Sequence, residues 1–390
     1  MSEIYLDYNA SAPMDKRVIE ALIPFLEVNY GNASSSHAFG RRLASCVEDS
    51  REQVASLVGG SPGGVIFTAG ATEANNQALR GLFHQNGIGS GDLVISAVEH
   101  ASVRNTAQWL NEREEVGLRI APVTAGGHVD LHAFEELLPG AKLVSVMGVN
   151  SETGVINPLR EITQLAKEHN ALVHCDVTQM VGREPFNMSE LGVDLVSLSG
   201  HKIYGPAGVG ALVVSREVRK LIEPLVLGGG HESGLRSGSL NVAGIVGLGA
   251  ASMLANEERS EDMKRLSCLR DQLFFGLHSS LPEVQEIGDI SKRVANTTNI
   301  HFAGADADAV MANMRDIAVS NGSACSSGAI EPSIVLQQMG LNRTEASEAL
   351  RFSLGRFTTV DDIDTAIPRI VTAVQYVRNM SGYEESYETS

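Results

Sequence analysis

Three short runs in this chain set reactive side chains beside apolar or very small neighbours. Ser199-Gly200-His201-Lys202 follows Asp194-Leu195-Val196-Ser197-Leu198, and Asp176-Val177-Thr178-Gln179 follows Ala171-Leu172-Val173-His174-Cys175. Far downstream, Cys325 stands in Ser320-Asn321-Gly322-Ser323-Ala324-Cys325-Ser326-Ser327-Gly328, a stretch with almost no side-chain bulk. A lysine at one strand end and a carboxylate at another suit pyridoxal phosphate. That cofactor needs an amine to hold its aldehyde as a Schiff base and an acid to keep its pyridine nitrogen protonated. A thiol on a small-residue loop adds a nucleophile able to enter a pocket and then present a product at the surface. The trio points to amino-acid chemistry that leaves sulfur on a thiol.

Other residues fit the same cofactor, each with an ordinary alternative. Phe67-Thr68-Ala69-Gly70-Ala71-Thr72-Glu73-Ala74-Asn75 reads as a strand, a small-residue turn and a helix start. Ala71 and Thr72 there would offer a phosphate the backbone N–H groups and positive end of a helix, with Thr72 also capping it; a plain capped turn reads the same way. His100 ends an apolar run, where an imidazole can stack on a pyridine ring or be a simple loop histidine. Asn150, before Ser151-Glu152-Thr153-Gly154, could reach the phenolic oxygen or a substrate carboxylate, or could only shape a turn. Asp176 follows a buried strand, where an unpaired carboxylate is costly, so backbone, arginine or pyridinium must satisfy it. Gln179 could face the phenolic oxygen, and Ser199 and His201 the phosphate, with Lys202 holding the aldehyde. Arg351 could clamp a substrate carboxylate bidentately or form a surface ion pair.

These residues need strands to display them. Alternation between residues 62 and 215 predicts strands at Val65–Thr68, Leu93–Ala97, Leu143–Met147, Leu172–Cys175, Leu195–Leu198 and Gly210–Val214, with helices such as Pro158–His169 between. This is the pattern of an α/β fold with a mostly parallel central sheet flanked by helices, and ligands bind such sheets beyond the strands' carboxyl ends. A long helix is expected from about Ala243 to Leu277. Beyond it the chain reads as α+β, with a strand at Thr298–Phe302, a helix at Asp306–Met314 and a last helix from Val360 to Val377. The expected division is a large domain at 15–257, a smaller α+β C-terminal domain at 258–380 that takes in residues 1–14, and an acidic tail at 381–390.

Composition narrows the function classes. The 390 residues are 43% hydrophobic and 20% charged, with a formal net charge of -17. So acidic a chain is not expected to bind nucleic acid directly, which needs clustered Lys and Arg. No run of about 20 apolar residues suggests a membrane span, and no secretory signal is visible, so a cytoplasmic location is expected. Cys46, Cys175, Cys268 and Cys325 form no C-x-x-C pair, which argues against a disulfide framework or a metal site. The first three read as small buried hydrophobes.

With these motifs in order, the chain resembles the pyridoxal-phosphate-dependent cysteine desulfurases of the iron–sulfur and nitrogen-fixation type, over nearly its whole length. Tyr5-Leu6-Asp7-Tyr8-Asn9-Ala10, Glu99-His100, Gly228-Gly229-Gly230-His231-Glu232, Arg236-Ser237-Gly238-Ser239 and Arg351-Phe352-Ser353-Leu354-Gly355-Arg356 join the runs above in carrying it. The resemblance implies a fold-type I transferase that converts L-cysteine to L-alanine and moves the sulfur to Cys325 as a persulfide, for a protein acceptor. Iron–sulfur assembly, RNA thiolation and DNA phosphorothioation all draw on this chemistry. It further implies a homodimer in which Ser239 reaches the phosphate bound by the other subunit, and a cofactor ring between His100 and position 177. Position 177 is usually alanine in that family, so Val177 is expected to crowd the ring. Together with the short acidic tail, this favours a dedicated pathway over the housekeeping one. Rivals are an aminotransferase or selenocysteine lyase of the same fold, or a non-catalytic partner subunit.

Overall fold

The computed structural model describes residues 3–84, 87–322 and 331–383. Within the described residues the chain builds three sheets. The largest has seven strands: β2 (Val65–Thr68), β3 (Asp92–Ser96), β4 (Gly117–Ala121), β5 (Ala141–Ser145), β6 (Leu172–Asp176), β7 (Leu195–Ser199) and β8 (Gly210–Val214). Numbering them requires β1, the short N-terminal strand Ile4–Tyr5. The sheet order is β2-β8-β7-β6-β5-β3-β4. From β7 through β4 every pairing is parallel, and only β8 runs against its neighbours β7 and β2. The carboxyl ends of β2, β3, β5, β6 and β7 therefore share one edge of the sheet.

The strands are apolar on both faces because helices cover both. Val65, Phe67, Val144, Val173, Val196 and Val213 face one core, and Ile66, Leu93, Ile95, Leu143, Leu195 and Leu212 face the other. Such continuous apolar runs were the legible part of the sequence. Strand β4 was not expected. Only its last residue, Ala121, is buried, so Gly117-Leu118-Arg119-Ile120-Ala121 lacks the unbroken apolar run of the inner strands.

A 39-residue helix, Val242–Ser280, joins this layer to a second core. Ile245, Leu248, Ala251, Leu254 and Ala255 pack on the large sheet, whereas Leu266, Leu269, Leu273 and Leu277 pack on the second core. The three- and four-residue spacing keeps one face inward in each half. Cys268 lies on the outward face and is exposed, Cys46 is half-buried, and only Cys175 is fully buried. Helical spacing decides this, not residue type, and it corrects the reading of all three as buried.

The second core is built on an antiparallel sheet of β9 (Val284–Glu286), β10 (Thr297–Phe302) and β12 (Ala349–Ser353), in the order β12-β10-β9. Strand β11 (Ile317–Ala318) pairs in parallel with β1, and Asp7 bridges to Ser353. Ile4 and Leu6 thus join Phe302, Phe352 and the final helix Val360–Ser381 in one core. Phe302 and Phe352 are fully buried and meet edge to face, with ring centroids 6.4 Å apart.

Phe302→Ala would leave a cavity the surrounding sheet cannot close. A loss of about 3–5 kcal/mol is expected, read as a lowered denaturant midpoint. A loss below about 1 kcal/mol would contradict this packing.

Candidate functional site

The shared strand edge opens into a cavity of about 1330 Å³. Its floor is Asp176, the last residue of the central strand β6, which is 6% exposed. Its carboxylate accepts from Asn75 Nδ2 (2.8 Å) and from the backbone N–H of Thr178 (2.9 Å). No arginine pairs with it among the described residues. Asn75 Nδ2 also donates to Ser102 Oγ (2.8 Å), which lies 2.7 Å from His100 Nδ1. The Ser102 backbone N–H donates to the same Nδ1 (3.1 Å), so His100 caps the helix Ala101–Arg113. An imidazole accepting at Nδ1 carries its proton at Nε2. Burial first, then the charges of Lys202 and Arg104, hold the His100 pKa below its ordinary value, although Asp176 pulls the other way. The ring is open to the cavity yet backed by protein.

The phosphate-like end of the cavity is set by backbone. Gly70 has φ 153° and precedes the helix Ala71–Arg80, whose first N–H groups have no acceptor within the helix. Gly70 is the cap here, without a side-chain bond, and this corrects the capping role expected of Thr72. Ala71, Thr72, Ser199 and His201 all line this end. His201 Nδ1 lies 3.2 Å from Ser11 Oγ, and desolvation, reinforced by Lys202, pushes its pKa down to about 4. A neutral ring can donate to an anion without bringing charge. The cradle holds because a side chain on Gly210 would meet Gly70 Cα at 2.7 Å.

Lys202 closes the short turn after β7, and its Nζ donates to the carbonyls of Asn9 (2.7 Å) and Ala10 (2.6 Å). Gln179 also lines the cavity, donating from Nε2 to Asn9 O (2.9 Å) and accepting at Oε1 from Arg183 (2.6 Å). Arg351, on β12, is buried; Nη2 meets Asp7 at 2.6 Å and Nη1 the Ser151 carbonyl at 2.9 Å, while Nε has no partner. It is therefore no surface ion pair.

Two expectations shift. Asn150 is buried and absent from the cavity wall: Oδ1 accepts from the N–H groups of Glu152 and Thr153, and Nδ2 donates to Val98 O. Its side chain is consumed in shaping its own turn, so a direct contact with cofactor or substrate is not what the structure shows. Val177 does not crowd the cavity either. Its N–H continues the ladder to Ser197 O and its side chain is fully buried in the core, leaving Thr178 at the wall with Oγ1 unpartnered among the described residues. Ser239 is exposed and away from this chain's cavity. Cys325 lies outside the described residues. On either side of that segment, Ser320 and Gly322, then Glu331, Pro332 and Ser333, line the cavity.

Sequence reasoning missed two carboxyls at the wall. Glu99 accepts from Ser96 Oγ and from Met147 N–H (2.8 Å), and burial pushes its pKa to about 8, helped by the charge of Asp176. Glu152 accepts from Ser333 Oγ, and burial pushes it to about 7. Asn75, Ser102 and Asn9 were also missed. The signal available was position within a run: Glu99 beside His100, Glu152 two residues after Asn150, Asn75 closing the run 67–75 and Asn9 within the run 5–10.

The arrangement fits pyridoxal phosphate: an anion cradle at a helix start, a carboxylate at the far end, an amine at the wall, and the unpartnered Thr178 hydroxyl between. The chain matches the family model described as Aminotransferase class-V over residues 4–365. It is 42% identical over 380 residues to the cysteine desulfurase IscS of Anaeromyxobacter dehalogenans (strain 2CP-C), covering 97% of this chain and 94% of that one. Among solved structures, a NifS-like protein superposes with TM-score 0.89 at 33% identity, covering 96% of this chain and 100% of the other. SspA in complex with cysteine superposes with TM-score 0.81 at 30% identity, covering 91% and 100%.

The raised pKa of Glu99 has a stability consequence. The folded state keeps this proton up to about pH 8, whereas an unfolded glutamate releases it near 4.5. Its stabilising share is fully present below pH 4.5 and fades as pH rises toward 8. Glu99→Gln removes that dependence. The variant should match the parent's thermal midpoint at pH 5 and exceed it at pH 8; an equal difference at both pH values would show Glu99 to be ionised throughout.

Proposed function

The chain belongs to the aminotransferase class-V family and is a cysteine desulfurase, and on that premise we propose the roles its cavity residues take. The enzyme converts L-cysteine to L-alanine and transfers the sulfur to an enzyme cysteine as a persulfide, for delivery to a sulfur-using pathway. The observation that carries the assignment of roles is the meeting of Asp176, Lys202, His100 and the Gly70–Thr72 helix start in one cavity.

Pyridoxal phosphate, when bound, supplies the electron sink that weakens the substrate's Cβ–S bond. Ala71, Thr72, Ser199 and His201 hold its phosphate, with Ser239 contributed from the second subunit of a homodimer. Asp176 keeps a proton at the pyridine nitrogen, since a buried carboxylate bonded only by Asn75 and Thr178 retains acceptor capacity. His100 would stack on the ring, its orientation set by the contacts of Nδ1 with Ser102. Gln179 would face the phenolic oxygen. Lys202 would hold the aldehyde and move protons at Nζ, giving up the carbonyls of Asn9 and Ala10. Arg351 takes the substrate carboxylate, and Asn150 supports it indirectly by ordering the turn that presents Ser151 O to that arginine.

Cys325 accepts the sulfur. Its thiolate forms the S–S bond as the substrate's Cβ–S bond breaks, and the freed electron pair takes protons to complete alanine. The large domain at 15–257 would supply the cofactor site, and the small domain the cysteine. The acceptor is proposed to be a protein of iron–sulfur assembly, RNA thiolation or DNA phosphorothioation. The leaning toward a dedicated pathway loses its Val177 support, since that residue packs in the core.

Two variants separate these roles. Lys202→Ala should stay folded yet lose the borohydride-fixable attachment of cofactor to that peptide. Cys325→Ser should bind cofactor and show an absorbance change with L-cysteine, while sulfide release drops by at least about 100-fold. Persulfide mapped by mass spectrometry to Cys46, Cys175 or Cys268 in the parent enzyme would refute the role of Cys325.

A further inference from the structure

Among the described residues, the cavity wall carries one cation that the proposed roles leave unused. Arg104 lies on the helix Ala101–Arg113, one turn after His100, and lines the cavity. Among the described residues its side chain has no hydrogen bond, ion pair or ring contact. The other cations of the wall are engaged. Lys202 meets two carbonyls, and Arg351 gives one N–H of each terminal nitrogen to Asp7 and the Ser151 carbonyl, with Nε enclosed by protein. The nearby acids do not neutralise Arg104 either. Glu331 pairs with Arg343 at 3.2 Å, Asp7 faces Arg351, and Glu152 is bonded by Ser333.

Arg104 and Arg351 line the same cavity, together with Glu152. A carboxylate entering there meets an Arg351 whose fork is already shared with Asp7 and the Ser151 carbonyl. At Arg104 it finds the whole planar fork, which matches two carboxylate oxygens at once. We propose that Arg104 is a specificity-determining residue that shares the substrate's α-carboxylate with Arg351. The assignment rests on the reading that the amino acid enters this cavity to meet Lys202. A purely solvated arginine would predict no preference, since a surface charge contributes little to a bound ligand.

The test compares Arg104→Gln and Arg104→Lys with the parent holoenzyme, using L-cysteine and cysteamine, which lacks the carboxylate. Sulfide release in the presence of a thiol reductant gives KM and kcat; the absorbance change on titration gives affinity for both ligands. Arg104→Gln should raise KM for L-cysteine by about 10- to 100-fold, with kcat within about threefold, and leave cysteamine affinity unchanged. Arg104→Lys should recover part of the loss. Because the Arg104 side chain bonds nothing among the described residues, both variants should keep the parent's thermal midpoint. An unchanged KM in Arg104→Gln, or an equal loss for both ligands, overturns the proposal and leaves the desulfurase reading standing. A parent enzyme that neither responds to L-cysteine nor releases sulfide overturns both.

Discussion

A carboxylate buried at the end of the central strand is the constraint around which this structure is arranged. Asp176 is nearly sealed from solvent and is bonded by one amide side chain and one backbone N–H. Burial of a charge with so little compensation is unfavourable unless a further donor arrives. The parallel strand order supplies the place for it, because β2, β5, β6 and β7 end on the same edge and leave a cavity there. Burial, helped by the charge of Asp176, pushes the Glu99 pKa up to about 8. The Asn75–Ser102 relay then ties the orientation of His100 to the position of Asp176.

The N-terminal segment couples this floor to the second core. The Asn9 carbonyl accepts from both Lys202 and Gln179, while its side chain reaches the Ser151 carbonyl and Thr297. Asp7 holds Arg351, and Asp15 holds Arg356 at 2.7 Å. Hydrogen bonds from Arg17 first and then Arg356 keep Asp15 well below the usual carboxylate range, against the opposing effect of burial. A short stretch of chain thereby fixes the small sheet over the cavity, and the proposed substrate cation and the proposed cofactor lysine answer to the same strap.

How much of this was legible in the sequence follows from the physics of each signal. Strands buried on both faces are unbroken apolar runs, and the polar residue after each run marks its ligand-facing end; Asp176, Ser199 and Lys202 were found in this way. Strand β4, mostly uncovered, gave no such signal. Val177 and Thr178 could not be told apart, since which of two adjacent residues faces the cavity depends on the bonding of Val177 to Ser197. Asn150 was placed against a ligand because turns and binding loops share the same residues, and its own turn takes up the amide. Asn75 and Asn9 act on partners 101 and 170 residues away, a distance at which spacing says nothing.

The role proposed for Asp176 is to hold a proton on the cofactor's pyridine nitrogen. Reconstitution of the apoenzyme with ring-¹⁵N-labelled pyridoxal phosphate, followed by NMR, observes that nitrogen directly. The account predicts a protonated nitrogen signal that persists above the pH at which the free cofactor deprotonates, and its replacement by the unprotonated signal in Asp176→Asn. An unprotonated nitrogen in the parent protein at neutral pH, or an identical signal in the variant, would contradict it.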